Sequence, residues 1–282
     1  MKKRRNPNKD YEFSSLPTTR KEAFKDVYKH NFKTIFSCGV TLLLFSLPLI
    51  ALLVIMNVGR LGMNTDIYSE DVLESVLLVW DLILNGGVFV LLYIVLIGLM
   101  GVMRVLKLLV WQEGINFWHD FRVGIKENIK HMTLFYVIGG VIYLATYCVY
   151  IFLLNFLVGL GIILLFTIIF LPMIFWSFYS VNVYQTTFFN YVKNGIFFYG
   201  RSIHWSLLFV IFIIWPFFAM FIPLTGYVLF IKYPILILLI IFYYPFLLIV
   251  GYLYSCSRFD QYINQENYPE IYRKGLYDIN KR

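Results

Sequence analysis

Long uncharged apolar runs alternate with short polar segments along the whole chain. Because a bilayer core of about 30 Å needs about 20 apolar residues of helix, each run is long enough to span a membrane. The pattern predicts six spans, at about residues 34–56, 84–103, 132–154, 156–180, 203–224 and 234–255. Membrane β-strands alternate apolar and polar residues, whereas these runs are continuously apolar. We therefore expect an all-α fold, a polytopic bundle of six transmembrane helices.

Prolines occur inside or at the ends of several of these runs, at Pro48, Pro172, Pro216, Pro223, Pro234 and Pro245. Lipid-buried helices tolerate proline when neighbouring helices supply partners for the carbonyls that it frees. We expect kinks, especially in the last two spans.

Lysine and arginine are distributed very unevenly among the connecting segments. Of 24 such residues, 22 fall on one side: before the first run and after the second, fourth and sixth. The other side holds only Arg60 and Lys232. Since cytoplasmic loops retain positive charge, both termini are predicted to be cytoplasmic. Long side chains such as Lys107, at the end of the second span, are expected to reach the headgroups.

Composition agrees with a membrane protein. The 282 residues are 60% hydrophobic and 14% charged, with a mean hydropathy of +0.73, which excludes a water-soluble globule. The net charge is +8, but the basic residues lie between apolar runs rather than in one patch, so no nucleic-acid partner is predicted.

The chain divides into a basic tail with a juxtamembrane helix at residues 1–33, a membrane domain at 34–255 and a cytoplasmic tail at 256–282. The first run is not a cleaved signal peptide, because its leader exceeds about thirty residues and the run is too long. The external segment 57–83 contains the stretch Val72 to Leu84, which mixes apolar and acidic residues. We expect this stretch to form an amphipathic helix at the outer interface.

Short aromatic and basic stretches precede the odd-numbered spans. Two of them match at spaced positions: Phe24, Lys29, Asn31 and Lys33 align with Phe121, Lys126, Asn128 and Lys130. The third, 191–201, shares only the aromatic and basic character. These stretches suggest three helical hairpins, each entered through an amphipathic juxtamembrane helix.

The longest polar internal segment, Gln112 to Lys130, has aromatic residues at helical spacing with charged residues between them. If the aromatic residues face lipid, the segment is an interfacial helix; if they face another protein, it is a docking helix. The candidate docking residues are Trp118, Asp120, Phe121, Lys126, Asn128 and Lys130.

The common catalytic and nucleotide-binding signatures are absent from the sequence, so neither an enzyme nor a cofactor is predicted. Histidines lie at His30, His119, His131 and His204; a metal or proton site is the alternative to four ordinary interfacial side chains. The third to fifth spans carry no Asp, Glu, Lys or Arg, which argues against ion coupling. Cysteines lie within or beside the spans, so no disulfide framework is expected.

Two stretches resemble the YesL-like family of bacterial membrane proteins, whose function is unknown. The first, LLLFSLPLI at Leu42–Ile50, has the Ser-Leu-Pro of that family's first helix. The second, Gly98–Lys130, resembles its aromatic and Asp-Phe segment followed by Phe-Lys-x-Asn-(Trp/Phe)-Lys, with isoleucine at both later aromatic positions. Here that segment reads Trp118, Asp120, Phe121, Ile125, Lys126, Asn128, Ile129 and Lys130. The longer first external loop and the basic tail depart from the family pattern.

The resemblance implies a non-enzymatic protein of the plasma membrane of Gram-positive bacteria. Since members of that family are often encoded beside genes for carbohydrate ABC transporters, it also implies an accessory role in carbohydrate transport, with a permease or an ATPase as the partner besides the lipid bilayer. The alternative hypothesis is a small transporter or channel for an uncharged solute.

Overall fold

A computed structural model describes residues 17–61, 69–152, 161, 164–221 and 228–277. Within these ranges the fold is all-helical and contains no strand, as predicted. The helices are α1 (Arg20–His30), α2 (Phe32–Leu61), α3 (Glu70–Val110), α4 (Phe117–Phe152), α5 (Leu171–Val183), α6 (Phe188–Arg201), α7 (Ile203–Phe221), α8 (Val228–Leu238), α9 (Tyr244–Phe259) and α10 (Gln265–Asn267). Three π-helical turns adjoin them: π1 (Phe166–Phe170), π2 (Leu239–Tyr243) and π3 (Asp260–Asn264).

Several of these helices are long and apolar enough to cross a membrane. In the part of the chain that the structure describes, four qualify: Phe32–Arg60, Val72–Val110, Phe166–Val183 and Ile231–Asn267. A fifth is obtained if α6 and the first part of α7, which meet at 106°, count as one broken span. These helices support the expectation that the protein crosses a membrane several times. The predicted span 132–154 falls largely on α4, and residues 153–160 lie outside the described part.

Both described ends of the chain meet at one end of the bundle. The backbone N–H of Tyr277 donates to the carbonyl of Pro17 at 2.8 Å. The end of α3, the start of α4, α6 and the end of α9 pack there as well. We call this end of the bundle the polar end. We call the opposite part the far half; it consists of α2 after Leu53, α3 before Leu96 and α4 after Thr133.

The segment between the first two spans differs from the prediction. The stretch from Val72 to Leu84 is not a separate interfacial helix but the beginning of α3, which continues unbroken for 41 residues. It contains no proline or glycine to end a helix before the span. The indole N–H of Trp80 donates to the carbonyl of Met56 at 3.1 Å, so this part of α3 packs along α2.

Tyrosines from neighbouring helices satisfy carbonyls that prolines free. Pro172 has no N–H for the carbonyl of Ile168, four residues earlier; that carbonyl accepts from the hydroxyl of Tyr199 at 2.8 Å. In the same way, Pro216 frees the carbonyl of Phe212, which accepts from the hydroxyl of Tyr243 at 2.7 Å. The expectation that neighbours re-satisfy freed carbonyls is confirmed at both sites.

A third proline, Pro245, follows π2, and the carbonyl of Ile241 lies within this π-helical turn. This carbonyl faces Gly39 of α2 so closely that a Cβ atom at Gly39 would overlap it. Glycine is therefore required where α2 crosses π2. The absence of a side chain at Gly39 thus allows the last span to pack directly against the first.

Candidate functional site

A packed core occupies the polar end. The side chains of Met100, Met103 and Leu106 on α3 are almost completely buried. Trp176 of α5 stacks on Phe198 of α6 with ring centroids 5.1 Å apart. The described helices therefore pack here as in the core of a soluble domain rather than as helices separated by lipid.

Asp260, the first residue of π3, connects the two ends of the described chain. Its carboxylate accepts from the guanidinium of Arg20 at 2.6 Å, from the side-chain amide of Asn264 at 2.8 Å and from the backbone N–H of Arg273 at 3.1 Å. Arg20 also donates to the carbonyl of Lys274 at 2.9 Å. One buried carboxylate thus holds α1, α9 and the C-terminal segment together.

Tyr184, just after α5, extends this group of bonds. Its hydroxyl donates to the side-chain oxygen of Asn264 at 2.6 Å. Burial raises the pKa of Tyr184 well above its usual value, and the nearby Cys256 and Asp260 raise it further. The hydroxyl therefore stays protonated and remains a donor at physiological pH.

A second group of bonds joins α3, α4 and α5. The ammonium of Lys107 donates to the backbone carbonyl of Asn182 at 2.6 Å. The side-chain amide of Asn128 donates to the side-chain oxygen of Asn182 at 2.9 Å. All three side chains are buried. The prediction that Lys107 extends to the headgroups is therefore wrong.

Three of the predicted docking residues lie inside the protein. Phe121 packs against Gly101 of α3 and lies 5.8 Å from the ring of Phe45. Asp120 accepts from the backbone N–H of Asn116 at 2.7 Å and so holds the start of α4. With Asn128 in the bond to Asn182, these residues stabilise the fold and are not exposed to a partner.

The other three predicted docking residues, Trp118, Lys126 and Lys130, are exposed, and Trp118 has 59% of its surface accessible. With Arg122 they form a row at intervals of four residues, which we call the α4 face. The hydrophobic spacing had indicated a helix in this segment; α4 confirms it but runs on into the third predicted span without a break.

The juxtamembrane helix predicted before the first span is α1. Ala23 and Val27 are buried, whereas Lys21, Lys25 and Lys29 are exposed one turn apart. At its first turn, the carboxylate of Glu22 accepts from the backbone N–H and the hydroxyl of Thr18, each at 2.9 Å, and these bonds lower the pKa of Glu22.

The two matched stretches of the sequence do not form the same local structure. Asn31 ends α1 and separates it from α2, whereas Asn128 lies inside the continuous α4. The third stretch, α6, is a separate helix before α7, with Phe189 82% exposed at its start. Separate juxtamembrane helices therefore precede α2 and α7 but not the third predicted span.

A cavity of about 300 Å³ lies at the centre of the bundle. It is lined by side chains of α2, α3, α5, α7, α8, π2 and α9, nearly all of them apolar. No sequence pattern indicated it, because a lining of Leu, Ile and Phe is indistinguishable in sequence from a lipid-facing surface.

The described histidines, cysteines and carboxylates do not form a group of three that could hold a metal ion. Cys38 and Cys256 are buried free thiols, and the side chain of Cys148 lies outside the described part. Comparison of the chain with protein families, curated proteins and solved structures finds no match in any of the three.

Proposed function

We propose that this protein is a non-enzymatic, multi-pass accessory protein of the bacterial plasma membrane that assists carbohydrate ABC transport. The carbohydrate and bacterial parts of the proposal depend on the resemblance to YesL-like proteins. The unequal distribution of lysine and arginine supports a cytoplasmic location for the polar end, where the two described ends of the chain meet.

The exposure of the α4 face is the observation that supports docking to a partner. Its exposed tryptophan and three cations stand on a helix start that buried bonds of Asp120 and Asn128 hold in place. A preorganised helix with an aromatic anchor loses little conformational entropy on binding, which favours docking to a protein partner. The partner would be the permease or ATPase of the transporter, and acidic residues on it would complement Arg122, Lys126 and Lys130.

The test compares two variants that remove the same number of cations from the polar end. Trp118→Ala combined with Arg122→Ala, Lys126→Ala and Lys130→Ala removes the α4 face without touching the buried bonds. The control, Trp205→Ala combined with Lys21→Ala, Lys25→Ala and Lys29→Ala, removes an exposed tryptophan and three exposed lysines elsewhere. Both variants are purified from native membranes in mild detergent, and the co-purifying proteins are identified.

Loss of a transporter subunit from the first variant only is the expected result. The same partners in both variants, or none with the wild type, would refute docking through α4. Phe121→Ala is not a suitable variant, because loss of its packing on Gly101 would disturb the fold as well.

The second candidate, a small transporter or channel for an uncharged solute, is supported by the central cavity. A polar solute needs hydrogen-bonding groups along its path, and the cavity lining supplies few of them, so this candidate ranks below the accessory role. Solute uptake into vesicles that contain the purified protein, with no partner present, would favour this candidate over the accessory role.

A further inference from the structure

The central cavity lies among helices that are distant in sequence. Its lining includes Leu42 and Leu53 of α2, Met103 of α3, Ile174 of α5 and Ile213 of α7. Its volume of about 300 Å³ is at the lower end of the range for small-molecule sites.

Among the described lining residues, every hydroxyl has already used its hydrogen-bond donor within the protein. These hydroxyls belong to Ser46, Tyr179 and Tyr244. Each already donates to a backbone carbonyl: Ser46 at 2.8 Å, Tyr179 at 3.3 Å and Tyr244 at 3.0 Å. Since ordered water in a cavity needs several polar partners, this lining favours an apolar occupant.

The length of the cavity matches one leaflet of a bilayer. Its lining residues on α2 extend from Leu42 to Leu53. At a rise of about 1.5 Å per residue, this distance is about 16 Å. The hydrocarbon core of a bilayer is about 30 Å thick, so the cavity is as long as one lipid chain in one leaflet.

Charge indicates which leaflet and which class of lipid. Met103 lines the cavity at the side nearest the polar end. Exposed lysines of α1 and the cations of the α4 face surround the same end of the bundle. This positive charge complements anionic headgroups of the polar-end leaflet.

We propose that the cavity binds one acyl chain of an anionic phospholipid from the leaflet at the polar end. The apolar lining would supply the affinity, and the basic residues would favour an anionic headgroup. The proposal concerns a site separate from the α4 face and is independent of docking there.

The test uses the full-length protein in phosphatidylcholine vesicles containing a small fraction of phosphatidylglycerol with a diazirine on one acyl chain. After irradiation, labelled peptides are mapped by mass spectrometry. We expect labelling of the cavity side chains of α2, α3 and α5 in addition to lipid-facing residues such as Leu134 and Leu208, which are 43% and 41% exposed. Labels confined to lipid-facing residues would refute the proposal.

A pair of variants tests whether the cavity volume itself binds the chain. In the first pair, Leu99→Phe with Ile174→Phe, two phenyl rings replace smaller aliphatic side chains in the cavity. The second pair, Leu134→Phe with Leu208→Phe, makes the same kind of change on the lipid-facing surface. We expect loss of cavity labelling in the first pair, with surface labelling unchanged. Undiminished labelling of the cavity peptides in a filled, folded variant would overturn the proposal. If that variant does not fold, the wild-type labelling map alone decides.

Discussion

The two parts of α3 differ sharply although both are equally apolar in sequence. Between Val72 and Val95 no described side chain is buried, whereas from Leu96 to Val110 nearly all are. Exposure of leucine or valine carries no penalty in lipid, so hydrophobicity alone does not decide where membrane helices pack. In this protein packing is closest where small residues and buried polar groups occur together, at the polar end.

The hydrogen bonds follow the same division. At the polar end, buried side chains of Asp260 and Asn182 each connect several segments. In the far half, the described side-chain links between helices are only partly buried, such as the bond from Asn57 to Tyr233 at 2.9 Å and the bond from Tyr143 to Asn85 at 2.9 Å. We therefore expect the polar end to be the stable part of the molecule and the far half to tolerate substitution.

Asp260→Ala should have the largest effect. It removes the carboxylate from a buried ion pair and leaves the Arg20 guanidinium without it, which typically costs about 3 to 5 kcal/mol. Thermal unfolding in detergent measures the change. The matched control, Asp81→Ala, breaks the exposed pair with Arg60 at 3.7 Å and should cost only about 0 to 1 kcal/mol. Equal losses would remove the distinction between the two parts.

Gly124→Ala should have the next largest effect. A Cβ atom there would lie 2.6 Å from Cβ of Arg104 and 3.0 Å from the carbonyl oxygen of Met100. Overpacking of this kind typically costs about 1 to 3 kcal/mol. Gly86→Ala in the far half meets nothing within 4 Å and should stabilise α3 by about 1 kcal/mol. Opposite shifts in the unfolding temperature are expected, and destabilisation by Gly86→Ala would contradict the open packing there.

Asn128→Ala should cost about 1 to 3 kcal/mol, since it removes the donor to the buried oxygen of Asn182. Asn85→Ala removes a comparable bond between α3 and α4 in the far half, where exposure makes the loss smaller. Urea or thermal unfolding of the two variants in the same detergent compares their losses of stability directly. A larger effect of Asn85→Ala would contradict our ranking of the two parts.

Glu22→Gln should have the smallest effect, and it should depend on pH. Because the folded-state pKa of Glu22 is lowered, its carboxylate stabilises α1 above the unfolded value of about 4.5 and loses that contribution as pH falls through the folded-state pKa. Unfolding temperatures of the variant and the wild type should differ slightly at pH 7 and converge toward pH 4. Glu74→Gln, at an exposed position near the start of α3, provides the control. A difference that grows on acidification would contradict this sign.

The sequence was sufficient to predict the structural features that repeat along the chain. Apolar runs predicted the helical class, and four or five of the expected spans lie on qualifying helices. Prolines predicted where neighbouring helices would supply hydrogen bonds. Periodicity also identified α1, α6 and the helical nature of the segment after Phe117.

Side-chain roles were harder to predict, because they depend on segments distant in sequence. Phe121 and Asp120 looked like surface residues of a polar loop, but α3 covers that face of α4. Lys107 looked interfacial, yet the end of α5 brings a carbonyl to it. Asp260 is near the end of an apolar run, and nothing within that run indicates Arg20, which is 240 positions away, as its partner.

The bond between Arg20 and Asp260 has a consequence for biogenesis. The ribosome adds about 5 to 20 residues per second, so α1 emerges at least about ten seconds before the carboxylate that will bind it. During that interval the exposed lysines of α1 can rest on anionic headgroups. The polar end is therefore completed only after the last span has been translated.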